Sequence, residues 1–162
     1  MVVEAGKCAL LIRYNNYKKT NFIEEHNKVV STNGYVWMLK AGRRLVDKKI
    51  EKVINESALL ILKAPKSFGG EYHYAEVLDF RYGEQEKKGE SPAYYKNIVD
   101  DEQLWQIESL TGTWLKIGAI KPLDKSKAEE FRLLSNGKRV VDVINSTMSS
   151  SLYVCSDKKI TL

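Results

Sequence analysis

The run Leu59-Leu60-Ile61-Leu62-Lys63 is apolar at every position but its last. A stretch this short and this continuous reads as a strand, and the absence of any polar alternation places it in the core. Whatever the chain folds into is therefore built around a sheet. Cys8-Ala9-Leu10-Leu11-Ile12-Arg13-Tyr14 is a second run of the same kind, ending at the turn-forming pair Asn15-Asn16. Tyr35 to Lys40, Tyr72 to Phe80, Trp105 to Ile107, Thr113 to Ile117 and Ser151 to Val154 also read as strands.

Helices are expected between some of them. Thr20 or Asn21 can cap one that carries Phe22, Ile23, Val29 and Val30 and stops at Asn33-Gly34. Leu45, Ile50, Val53 and Ile54 mark a second, running to about Glu56. Short helical segments are expected at Tyr94 to Gln103, Asp124 to Phe131 and Val140 to Ile144. Gly83 to Ser91 is polar and charged and reads as a surface insertion. Strands outnumber helices without alternating regularly, which predicts an α+β fold, a curved sheet or barrel flanked by helices, rather than a doubly wound one. At 162 residues the chain is expected to be a single domain over 1–162, with one core.

Several function classes lack their residues. No apolar run approaches the roughly 20 residues needed to cross a bilayer, and the first residues do not form a secretory signal, so a cytoplasmic protein is expected. Cys8, Cys155, His26 and His73 have no metal-ligand spacing, so neither a metal nor a cofactor is expected. There is no glycine-rich loop ending in Gly-Lys-Ser or Gly-Lys-Thr, and no Gly-x-Ser-x-Gly elbow. Ser149, Ser150 and Ser151 have no base supplied for them, and the pairs Glu24-Glu25 and Asp100-Asp101 read as solvated charge. A binding role without catalysis is expected.

The chain carries 26 Lys and Arg against 21 Asp and Glu, a net charge of +5, which suits a polyanionic partner. Its aromatic residues recur beside basic or amide side chains, as in Tyr14 with Arg13 and Trp37 with Lys40. Stacking of a base on such a ring stabilises by roughly 1–3 kcal/mol, and nearby Lys or Arg neutralises phosphate. The competing reading is that strand aromatics fill the core, since a Trp has much area to bury.

Order and motif favour the first reading. Leu11-Ile12-Arg13-Tyr14-Asn15-Asn16, Gly34-Tyr35-Val36-Trp37, Gly70-Glu71-Tyr72-His73-Tyr74-Ala75-Glu76, Leu104-Trp105 and Gly112-Thr113-Trp114-Leu115-Lys116-Ile117 occur in the order of five segments of the YTH domain. The chain resembles that family and its EVE relatives in the PUA-like superfamily over about residues 8 to 123. Tyr14 stands where the family pattern has serine.

The resemblance implies a reader that clamps a flipped N6-methyladenine between Trp37 and Trp105, with Leu110 or Trp114 as the floor. Asn15 or Asn16, beside Tyr14 and with the backbone near Trp37 and Met38, would read the base edge, because an amide both donates and accepts. Arg13, Lys40, Arg43, Arg44 and Lys66 are the candidate phosphate contacts. The resemblance extends to the N-terminal recognition domains of archaeal modification-dependent restriction systems. It implies methylated DNA as ligand, with RNA as the alternative, and a GTPase and a nuclease as partners, the chain being the N-terminal module of a larger protein.

Overall fold

A computed structural model describes residues 1–82, 89–100 and 112–162. The chain divides into two compact units. One comprises Met1–Asn15, Glu51–Ala75 and Lys121–Leu162; the other comprises Asn16–Ile50 and Glu76–Ile120.

The first unit is built on β2 (Ala9–Arg13) and β4 (Leu59–Lys63), which pair in parallel from Leu10↔Leu60 to Arg13↔Lys63. Both are the continuous apolar runs of the sequence, and in both the apolar residues are buried. On its other edge β2 pairs antiparallel with β9 (Ser151–Ser156), and β9 pairs antiparallel with β8 (Phe131–Leu133). The first residues of β5 (Tyr72–Tyr82) pair with β7 (Lys121–Leu123). The short strands β1 (Val2–Val3) and β10 (Ile160–Thr161) pair with each other. Leu11, Ile61, Phe131, Val140, Val154 and Ile160 belong to one buried cluster of this unit.

The second unit contains α1 (Phe22–Asn33), β3 (Val36–Lys40), β6 (Thr113–Ile117), the remainder of β5 and α3 (Tyr95–Asp100). Helix α1 begins where the sequence places its cap: Asn21 Oδ1 accepts from the Glu24 amide at 3.1 Å. It ends at Gly34, whose φ of 80° lets its amide reach the Val30 carbonyl at 2.7 Å. β6 pairs antiparallel with β3 on one side and with β5 on the other, where the register shifts between Val77 and Asp79. Helix α2 (Asp47–Glu56) runs from this unit into the first.

The α+β class is observed, with mostly antiparallel pairing. In neither unit do the described strands close into a barrel. One local expectation is corrected. The helix expected over Asp124 to Phe131 is only α4 (Lys125–Ala128), because Phe131 is fully buried and pairs with Ser156 as the start of β8. The short helix expected at Val140 to Ile144 is observed as the single turn α5 (Val140–Val143). The expected strand at 105–107 and most of the expected insertion, 83–88, lie outside the described residues.

Gly112 shows how tightly β6 enters its unit. A β-carbon there would drive into the backbone carbonyl oxygen of Lys40 and approach Leu39 Cδ1 to 3.0 Å. Neither strand can shift freely, since Thr113 Oγ1 already accepts from the Leu45 amide at 2.9 Å. Gly112→Ala is expected to lower stability by about 1–3 kcal/mol, the range for overpacking a fixed site. Urea unfolding of the two proteins measures it, and equal midpoints would contradict the packing described.

Candidate functional site

In the first unit, β2 and β4 each end on a basic residue, and their parallel pairing sets Arg13 beside Lys63. The carboxyl ends of parallel strands are where open sheets receive ligands. A cavity of about 450 Å³ lies there, within the roughly 300–1,000 Å³ usual for small-ligand sites. Arg13, Tyr14 and Asn15 line it from the end of β2, Lys63 to Lys66 from the end of β4, and Ile144, Asn145 and Ser150 from the segment preceding β9.

Its lining holds three cationic side chains and no carboxylate. Arg13 is fixed by backbone carbonyls: Nε donates to Ser149 at 3.1 Å and Nη1 to Ile144 at 3.4 Å. Lys63 is 7% exposed, and its ammonium donates to the carbonyls of Ala64 at 2.9 Å and Gly70 at 2.6 Å while lying 5.0 Å from the centre of the Tyr72 ring. Burial lowers the Lys63 pKa, and the like charges of Lys125 and Lys66 lower it further. Lys66 is exposed. Carbonyl oxygens orient Arg13 and Lys63 without cancelling their charge, so the cavity favours an anion. Burial, then Glu71, raises the pKa of Tyr14, keeping its phenol a neutral donor.

The second unit holds an aromatic cluster of Trp37, Trp114, Tyr94 and Tyr95, all buried, with Tyr17, Tyr35 and Leu39 packed against it. Register explains the grouping. Trp37 faces Lys116 and Leu39 faces Trp114 across β3 and β6, so these four side chains share one face, and Arg81 of β5 pairs with Trp114 on the same face. The Arg81 guanidinium lies 5.2 Å from the Trp37 ring centre and 5.9 Å from that of Trp114. Lys116 sits 4.0 Å from the centre of the Tyr35 ring.

Beneath this cluster His26 is completely buried. Its Nδ1 is 2.7 Å from the Phe22 carbonyl, which can only accept, so Nδ1 carries the proton. Nε2, also at 2.7 Å, then accepts from the Tyr95 hydroxyl, whose oxygen accepts from the Leu39 amide at 3.2 Å. The chain of bonds joins α1, α3 and β3.

The structure brings together Arg13, Tyr14, Asn15 and Lys66 at the basic cavity, and Trp37 with Trp114 in the aromatic cluster. Asn16 has a local task, its Oδ1 accepting from the Phe22 amide at 2.9 Å. Met38 is buried on β3 opposite Leu115. Lys40 is 6% exposed and its ammonium donates to the Arg43 carbonyl at 2.8 Å, with burial lowering its pKa. Arg43 and Arg44 are exposed, Arg44 lying 5.3 Å from the centre of the Tyr82 ring. Trp105 and Leu110 lie outside the described residues. His26 is a core residue.

Sequence reading passed over Lys63, Asn145, Ser150, Arg81 and Tyr95. Lys63 carried a signal, since a cation closing an otherwise apolar strand marks the strand's solvent-facing end. Asn145 and Ser150 carried none.

Comparison of the chain with family models, curated proteins and solved structures finds no significant match. The site therefore rests on its geometry.

The His26 network has a pH signature. Burial, opposed by the Phe22 hydrogen bond, lowers the imidazole pKa to about 4 from its ordinary 6.5. Between those values the unfolded chain binds a proton that the folded chain does not, so this stability is complete above pH 6.5 and is lost as pH falls toward 4. The group's contribution is about 3 kcal/mol. Urea unfolding between pH 7 and pH 4 is expected to show that loss, and His26→Gln to lack it; identical pH dependence in the two proteins would refute the assignment.

Proposed function

We propose that the chain is a non-catalytic nucleic-acid reader that recognises a methylated base, N6-methyladenine in DNA, and directs a GTPase and nuclease of a modification-dependent restriction system to it. One observation carries the nucleic-acid part: Arg13, Lys63 and Lys66 converge with Tyr14 and Asn15 on a cavity without a carboxylate in its lining. Cations oriented by carbonyls suit phosphate, and the Asn15 amide beside them suits a base edge.

The methyl-reading part rests on the family resemblance. In this reading Trp37 and Trp105 sandwich the flipped base, with Leu110 or Trp114 as floor. Arg81 now shares the Trp37 ring, and such a cation–π contact is worth about 0.5–2 kcal/mol. Stacking of a base is worth about 1–3 kcal/mol, so a base competes with the guanidinium on comparable terms. Burying one methyl adds roughly 0.8 kcal/mol, a modest preference that a dry slot sharpens. Extruding the base costs a few kcal/mol, which phosphate contacts must offset.

The two parts separate experimentally. Fluorescence anisotropy with methylated and unmethylated duplexes across a salt series is expected to show tighter binding of the methylated one. Lys66→Ala should weaken both alike and reduce the slope of log affinity against log salt by about 0.9. Trp37→Ala should remove the methyl preference while leaving salt-dependent binding in place. Wild-type protein that ignores duplex and single-stranded RNA alike sinks the reading; methyl preference surviving removal of Trp37 and Trp105 together sinks the cage.

A further inference from the structure

We propose that the basic cavity of the first unit is a site for a terminal phosphomonoester, the group carried by a free nucleotide or by a phosphorylated strand end, and not for the phosphodiester backbone along its length. This deepens the nucleic-acid reading above, and it rests on the anion cavity of that reading rather than on the aromatic slot.

Lys63 supplies the first argument. A cation this deeply buried is normally paired with a carboxylate. The Lys63 ammonium instead donates to the neutral carbonyls of Ala64 and Gly70, and the charges that act on it are the like charges of Lys125 and Lys66. Gly70 permits the close approach: its φ is 67°, and a β-carbon there would stand 3.0 Å from Lys63 Nζ. The fold thus holds an uncompensated cation at the wall of a cavity, where an anion from solution supplies the compensation.

Convergence supplies the second. Arg13 is the register partner of Lys63, and adjacent strands lie about 4.8 Å apart. Both side chains are tied to backbone carbonyls, Arg13 to those of Ser149 and Ile144, so they cannot spread to follow successive phosphates of a strand. They act together on one. The Arg13 bonds use Nε and Nη1 and leave Nη2 to a ligand. Lys66 adds a third cation to the lining, and the Tyr14 phenol adds a neutral donor. A diester phosphate brings one negative charge, whereas a monoester brings about 1.5 to 2 at pH 7. Three cations with no carboxylate in the lining match the monoester better. The volume of about 450 Å³ is in the range that encloses a small ligand.

Calorimetric titration with adenosine 5′-monophosphate and with adenosine 3′,5′-cyclic monophosphate compares the two phosphate classes on one nucleoside. The linear nucleotide should bind about tenfold tighter. Lys63→Met should remove most of that difference while leaving affinity for the cyclic nucleotide within about twofold of wild type. Lys66→Ala, a change at an exposed position that does not threaten folding, should reduce the difference about threefold. A DNA strand with a 5′-phosphate and the same strand with a 5′-hydroxyl then tell the sources apart. Preference for the phosphorylated strand assigns a strand end, whereas equal binding of the two strands, with the linear nucleotide still preferred, assigns a free nucleotide. The proposal is overturned if the linear and cyclic nucleotides bind alike, if neither binds, or if the preference survives both substitutions. Protein that prefers a methylated duplex but does not distinguish the nucleotides keeps the reader assignment and loses this site; protein that prefers the linear nucleotide but ignores duplex and single-stranded RNA does the reverse.

Discussion

Parallel pairing of β2 with β4 is the constraint on which the rest of the structure depends. Antiparallel neighbours can be joined by a tight turn, but parallel ones require the chain to travel back the length of the strand before it pairs again. Residues 14–58 make that return, and they carry α1, β3 and the whole of α2. The same pairing aligns the carboxyl ends of the two strands, so Arg13 and Lys63 emerge side by side. Had the strands run antiparallel, the basic ends would lie at opposite edges and the cavity would have one cation fewer.

Buried polar groups do in the second unit what the apolar strands do in the first. His26 sits where its helix would otherwise present an apolar residue, and two hydrogen bonds satisfy both ring nitrogens. An unpaired imidazole at that depth would cost about 1–3 kcal/mol, so Tyr95 and the Phe22 carbonyl are bound to particular positions in a way that van der Waals packing alone would not require. Around this fixed point the rings of Tyr94, Tyr95 and Trp114 meet at steep angles: Tyr94 and Tyr95 stand 86° apart at 5.0 Å, and Tyr95 and Trp114 stand 61° apart at 6.0 Å. Edge-to-face meetings of this kind leave particular ring faces for a cation, and Arg81 lies over those of Trp37 and Trp114.

Most elements were legible because their signals are local. The Asn21 cap, the Gly34 stop and the apolar runs at Ala9–Arg13 and Leu59–Lys63 are decided within a few residues by hydrogen-bonding capacity, φ freedom or lack of polar atoms. Phe131 reads as helical because its run is short and amphipathic, and only its pairing with Ser156 makes it a strand. At the basic cavity, Arg13, Tyr14, Asn15 and Lys66 stand out in the sequence, while Lys63, which completes the charge, reads there as the end of a core strand.

By itself the sequence determined the element types, the excess of positive charge and the residues able to stack on or bind a nucleotide, all properties of short segments or of sums over the chain. Only the tertiary structure decided which of them meet. Arg13 and Lys63 are fifty positions apart and become neighbours through strand register; Lys40, as cationic in sequence as Lys66, turns inward to the Arg43 carbonyl and loses most of its exposure. Register and burial depend on long-range pairing, which local periodicity does not encode.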